Sequence, residues 1–133
     1  MKKVTDFLYA NPMGALATVG NGRPHVRPWG FMLEQDGKLW FCTANTKEVF
    51  RQLQANPIIE FTATSPEFVT VRVSGEIIFS KDLEIKKKII EKNDLVKSIY
   101  KTPNNPIFEV FYLEHGQAIM SDFSGQPPQN FAF

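Results

Sequence analysis

Two periods of apolar and polar residues alternate along this chain, and the local period predicts each element. Val4, Phe7 and Leu8 recur at helical spacing, predicting a short amphipathic helix over Val4–Ala10 that Asn11-Pro12 ends. Gly14–Val19 is apolar and reads as a strand, and Gly20-Asn21-Gly22 turns it into a second strand, Pro24–Leu33, to make a hairpin. After Gln35-Asp36-Gly37, Lys38–Thr43 is expected to add a third strand to a meander. A helix over Lys47–Ala55 stops at Asn56-Pro57, where proline cannot extend it. Ile58–Thr64 is a strand turned by Ser65-Pro66-Glu67. Phe68–Ser80 is a long β-branched strand in which Gly75 predicts a bulge or bend.

The period then changes. Leu83, Ile85, Ile89 and Ile90 on a background of Lys and Glu predict an amphipathic helix over Lys81–Asn93, with Lys86, Lys87 and Lys88 on its wet face. Leu95–Tyr100 continues as a second short helix, broken by Thr102-Pro103-Asn104-Asn105-Pro106. Ile107–Glu114 and Gln117–Asp122 are expected to form a last hairpin turned at His115-Gly116, followed by a loop-like tail, Ser124–Asn130. Phe131 and Phe133 close the chain, and two rings there are expected to dock somewhere. Six to seven strands with short helices between them predict a mainly β fold, an antiparallel sheet closed into a barrel. Its 133 residues are expected to make one domain.

Composition narrows the function. Fifteen basic residues against fourteen acidic ones leave no basic stripe for nucleic acid. No apolar run approaches the roughly 18 residues of a membrane span. A single cysteine, Cys42, permits no intrachain disulfide and points to a reducing, cytoplasmic setting. Between Phe41 and Thr43 it reads as a small buried side chain rather than a reactive thiol. Twelve Phe, two Trp and three Tyr exceed what one small core needs, which points to a subunit interface or a ligand wall.

Nucleotide-binding glycine motifs and nucleophile elbows are absent, and His25 and His115 do not pair with other ligands at zinc spacing. What remains is a co-location. Thr43, Asn45, Thr46 and Lys47 lead a strand into a helix N-terminus, a chemically sensible anion cradle that is also what an ordinary capped turn looks like. One hairpin away, Arg27, Trp29 and Phe31 share a strand face, while Pro28 and Gly30 are expected to interrupt pairing and free backbone groups for a ligand. Thr70, Arg72 and Ser74 line one face of the long strand. A flat aromatic ligand with a phosphate tail suits this set. The competing reading is that Arg27 and Arg72 form surface ion pairs.

Three segments together, Arg27-Pro28-Trp29-Gly30-Phe31, Phe41-Cys42-Thr43-Ala44-Asn45-Thr46-Lys47 and Val71-Arg72-Val73-Ser74-Gly75-Glu76, resemble the pyridoxamine 5′-phosphate oxidase-like split-barrel family. The likeness is strongest to its short branch, which includes nitroimidazole-resistance proteins. The resemblance implies a homodimeric split β-barrel with FMN at the subunit interface. Arg27 to Met32 would run along the isoalloxazine and ribityl chain, and Trp29 and Phe31 would form walls. Cys42, Thr43, Asn45, Thr46 and Lys47 would hold the phosphate end, and Thr70 or Arg72 would approach from the long strand. The implied activity is hydride transfer to or from a small molecule; a flavin or haem carrier and a deazaflavin-dependent reductase are the alternatives. Where the family has Ser-Arg-Lys, this chain has Asn45-Thr46-Lys47, one cation fewer. The Arg-x-His of true pyridoxamine phosphate oxidases near the C-terminus is absent, which argues against vitamin B6 oxidation.

Overall fold

A computed structural model describes Met1–Phe133. Eight strands and four helices follow in the order α1 (Lys2–Ala10), β1 (Met13–Gly20), β2 (Arg23–Gly30), β3 (Leu33–Gln35), β4 (Lys38–Ala44), α2 (Glu48–Ala55), β5 (Ile58–Thr64), β6 (Thr70–Ser80), α3 (Leu83–Lys92), α4 (Asp94–Tyr100), β7 (Phe108–Ser121) and β8 (Gln129–Ala132). All pairings are antiparallel, in the order β2-β1-β5-β6-β7-β4-β3, with β8 added to β7. The two ends of that order meet where the chain leaves β2. Phe31 N–H donates to Pro12 O at 2.8 Å, extending the β1–β2 ladder, and Met32 N–H to Trp40 O at 3.0 Å, extending the β3–β4 ladder, so the chain crosses from one end of the sheet order to the other between two consecutive residues. This closure makes the split barrel.

Local chemistry explains the two tight hairpins. Asn21 and Gly22 (φ 53° and 73°) join β1 to β2, and Asp36 and Gly37 (φ 56° and 76°) join β3 to β4. Paired left-handed residues are what a right-twisted two-residue hairpin requires. Alternation along the strands fills the barrel. Leu16, Phe41, Phe61, Val73 and Phe111 point inward, with Phe41 stacked on Phe111 at 5.6 Å and tilted against Phe61 at 5.3 Å. Val4 and Leu8 of α1 and Val49 and Leu53 of α2 pack into the same core. A second core lies on the other side of β4 and β7, where Trp40, Cys42, Phe108 and Val110 meet Ile85, Ile89 and Ile90 of α3 and Val96 and Tyr100 of α4.

Four expectations are corrected. The meander does not form: β4 pairs with β3 and β7, and never with β2. The break at Phe31-Met32 sends β2 and β3 to opposite ends of the sheet order. His115-Gly116 is not a turn. β7 runs unbroken through it, because Gly116 lies opposite Gly75 on β6, and a Cβ there would sit 2.2 Å from Ser74 O. Glycine is needed for close approach of two strands, with the bulge falling between Gly75 and Ile77. The tail is loop only as far as Pro128: Gln129–Ala132 form β8, which pairs Gln117–Met120, and Phe131 and Phe133 pack against the barrel core. Lys86 is buried, 6% exposed, rather than wet; its stem covers the second core and its Nζ stands 5.8 Å over the Phe108 ring. Burial lowers its pKa, partly countered by Glu109.

Candidate functional site

The corner between β2, the end of β4 and the first turns of α2 gathers the polar groups. Arg27 and Trp29 lie on the inward face of β2, half-buried, while Val26 and Pro28 are exposed on the other face. β1 pairs with β2 without interruption from Met13↔Gly30 to Gly20↔Arg23, so Pro28 and Gly30 break no ladder. Proline fits there because β2 has a neighbour on one side only.

Arg27 does not extend into water. Its Nη1 donates to Thr18 Oγ1 at 2.8 Å and to Leu16 O at 3.3 Å, and its Nη2 donates to Gln52 Oε1 at 2.8 Å. Thr18 Oγ1 in turn donates to the same Gln52 Oε1. The three side chains form a closed ring tying β1, β2 and α2 together. Thr18 and Gln52 are buried, and desolvation lowers the Arg27 pKa from its usual high value. Lys47, the N-cap of α2, provides no side-chain cap; its Nζ stands 5.4 Å over the Trp29 ring, so a second cation shares this corner.

The turn before α2 is held from behind. Asn45 Nδ2 donates to Pro106 O at 2.9 Å and to Glu109 Oε2 at 3.1 Å. Glu109 is buried, and Lys81 Nζ donates to it at 2.8 Å. Asn45 is thereby committed to anchoring the turn, whereas Thr46 and Lys47 are exposed at its tip. Thr43, 1% exposed, has an Oγ1 that finds no hydrogen-bond partner. A buried hydroxyl left unpaired costs on the order of 1–3 kcal/mol. The hydroxyl shares the barrel face of β4 with Leu39 and Phe41, at the strand end that leads into the Asn45–Lys47 turn, and Trp40 Nε1 in the second core is unpaired in the same way.

The other expected residues lie elsewhere. Cys42 points into the second core, where burial pushes its thiol up to about 12. Phe31 is buried in the barrel beneath Tyr9, with ring centroids 5.3 Å apart, and Met32 packs against the second core. Thr70 and Arg72 lie along β6. Thr70 shares a 3.1 Å hydroxyl contact with Thr64, and Arg72 pairs with Glu60 at 3.6 Å. Thr18 and Gln52 are the residues that sequence reasoning missed. Their signal is a polar residue at a core position. Thr18 follows Leu16 on the inward face of β1, and Gln52 sits beside Leu53 on the buried stripe of α2.

The match to known proteins decides the family. A family model described as pyridoxamine 5′-phosphate oxidase matches residues 1–115. The chain belongs to the pyridoxamine 5′-phosphate oxidase family. It is similar to the structure of a NimC/NimA family protein from Clostridium acetobutylicum (TM-score 0.91, 30% identity, covering 100% of this chain and 92% of that one). In fold it resembles a pyridoxamine 5′-phosphate oxidase-related, FMN-binding protein from Nostoc punctiforme (TM-score 0.72, 20% identity, 98% and 84% covered). It also resembles in fold a haem-binding protein from Mycobacterium smegmatis (TM-score 0.79, 17% identity, 98% and 56% covered). Among curated proteins none matches the chain. No helix is long and apolar enough to cross a membrane, and no group of three or more His, Cys, Asp and Glu could hold a metal ion.

Proposed function

We propose that this protein binds FMN at the β2–β4–α2 corner and works as a homodimeric oxidoreductase on a small molecule. The observation that carries the reading is the pairing of two cations there. Arg27 is fixed by Thr18 and Gln52, and Lys47 sits over Trp29 at the N-terminus of an eight-residue helix. Arginine and lysine beside free helix N–H groups suit a phosphate.

In this reading Arg27 and Lys47 bind the phosphate end, with Thr46 and the first N–H groups of α2. Thr43 Oγ1 gains the partner it lacks. Trp29 gives the planar wall, backed by Phe31 from the core. FMN, when bound, would supply hydride transfer at its N5. The chain's own groups position it and exclude water. Exposed Met13, Val26 and Ile58 (63%, 71% and 46%) lie on the outer face of β1, β2 and β5, apolar surface of the kind a second copy covers. Thr70 and Arg72 lie on the outward side of the same sheet, so in a dimer they approach the ligand of the partner copy.

The visible spectrum of the purified protein tests the reading. Flavin bands that bleach anaerobically with a nicotinamide donor, and return when a small-molecule acceptor is added, are expected. A Soret band instead would favour a haem carrier. A colourless protein that takes up no FMN would contradict the proposal.

A further inference from the structure

The ring around Arg27 does more than satisfy buried groups. A guanidinium has five N–H donors on two forked edges. Thr18 and Gln52 take the edge formed by Nη1 and Nη2, and Leu16 O and His25 O take further, longer Nη1 contacts at 3.3 and 3.4 Å. Nε–H and the second Nη2–H have no acceptor within the protein, and together they make the other, parallel fork. Thr18 and Gln52 are themselves joined and buried, so the side chain that they hold has little rotational freedom left.

We propose that Thr18 and Gln52 are positioning residues: they lock one edge of Arg27 so that its Nε-side fork stays free and oriented for a phosphate-type oxyanion. This rests on reading Arg27 as a ligand of the FMN phosphate. Neither residue touches the ligand. Each sets how much of Arg27's freedom must be lost when the anion binds, which is where a preorganised fork gains affinity over a mobile one.

Titration of FMN and of riboflavin, which lacks the phosphate, separates the possibilities when both are followed by flavin fluorescence. The proteins compared are the native chain, Thr18→Val, Thr18→Ser, Gln52→Leu and Arg27→Ala, with an unfolding curve to show that each is folded at the titration temperature. Thr18→Val and Gln52→Leu are expected to lower FMN affinity about tenfold, on the scale of one charged hydrogen bond. Riboflavin affinity should stay at the native value, and Thr18→Ser, which keeps the hydroxyl, should restore FMN binding. Thr18→Val nearly conserves volume, so it carries the test if Gln52→Leu does not fold. FMN affinity unchanged in Thr18→Val but lost in Arg27→Ala would overturn the clamp while leaving the FMN site standing. Equal losses for FMN and riboflavin would make Thr18 a merely structural residue and overturn it too. A native chain that binds no FMN would overturn both the clamp and the site.

Discussion

Arg27 and Arg72 are the same residue type on strands of the same sheet, and they do opposite things. Arg27 faces the barrel interior and is held by two buried side chains. Arg72, with a side chain 52% exposed, meets a Glu60 that is 47% exposed, across a 3.6 Å contact on the outer face of β5 and β6. The difference lies in strand parity. Leu16 and Phe61, the register partners along Arg27's row, are core residues, whereas Thr62 and Ile119, the partners of Arg72, are partly exposed. Position on the pleat, rather than residue chemistry, turns one arginine into part of a preorganised corner and leaves the other as a screened surface pair.

Substitutions should separate the two regions by size of effect. The largest is expected from removing both corner cations. Arg27→Ala with Lys47→Ala should weaken FMN binding by about 3 kcal/mol, measured by fluorescence titration, since two charged contacts are lost. Next, Thr18→Val should destabilise the free protein by about 1–3 kcal/mol in urea unfolding, because buried Gln52 and half-buried Arg27 each keep one partner fewer. Thr43→Val makes the instructive contrast. Its hydroxyl is unpaired, so the free protein should gain about 1 kcal/mol while FMN affinity falls. A loss of stability of the same size in both threonine variants would break the distinction between a satisfied and a waiting hydroxyl. Arg72→Ala should change stability by less than about 1 kcal/mol, an effect that fades with salt.

Cys42 adds a pH dependence on the far side of β4. Its folded pKa of about 12 lies above the ordinary thiol value. Below the ordinary value the thiol is protonated in both states and its contribution to stability is fully present. As pH rises toward 12 the unfolded chain releases the proton first, so stability falls across that alkaline window. A Cys42→Ala variant should show a shallower loss, and native Cys42 should resist alkylation near pH 8 until the protein unfolds.

Much of the fold was legible where the cause is local. Asn21-Gly22 and Asp36-Gly37 announced their hairpins, and Pro57 ended α2. The Ile85, Ile89 and Ile90 stripe announced α3. What escaped depends on partners far along the chain. Gly116 looks like a turn residue until β6 is placed 2.2 Å from where its Cβ would be. β4 joins β7 rather than its sequence neighbour β2, and β8 exists only because β7 offers an edge. The site followed the same division. Arg27, Trp29, Thr43, Thr46 and Lys47 stood out in the sequence as charged, aromatic and hydroxyl candidates for a ligand. Thr18 and Gln52, 34 residues apart, became partners only when β1 met α2.

In the proposed complex the register of β2 and the start of α2 bring Arg27 and Lys47 to one phosphate. A crystal structure of the FMN complex measures that directly. Phosphate oxygens are expected within hydrogen-bond distance of both Arg27 Nε and Lys47 Nζ, with the Thr18 and Gln52 contacts to Arg27 retained. FMN bound with its phosphate at Arg72, or at neither cation, would contradict it.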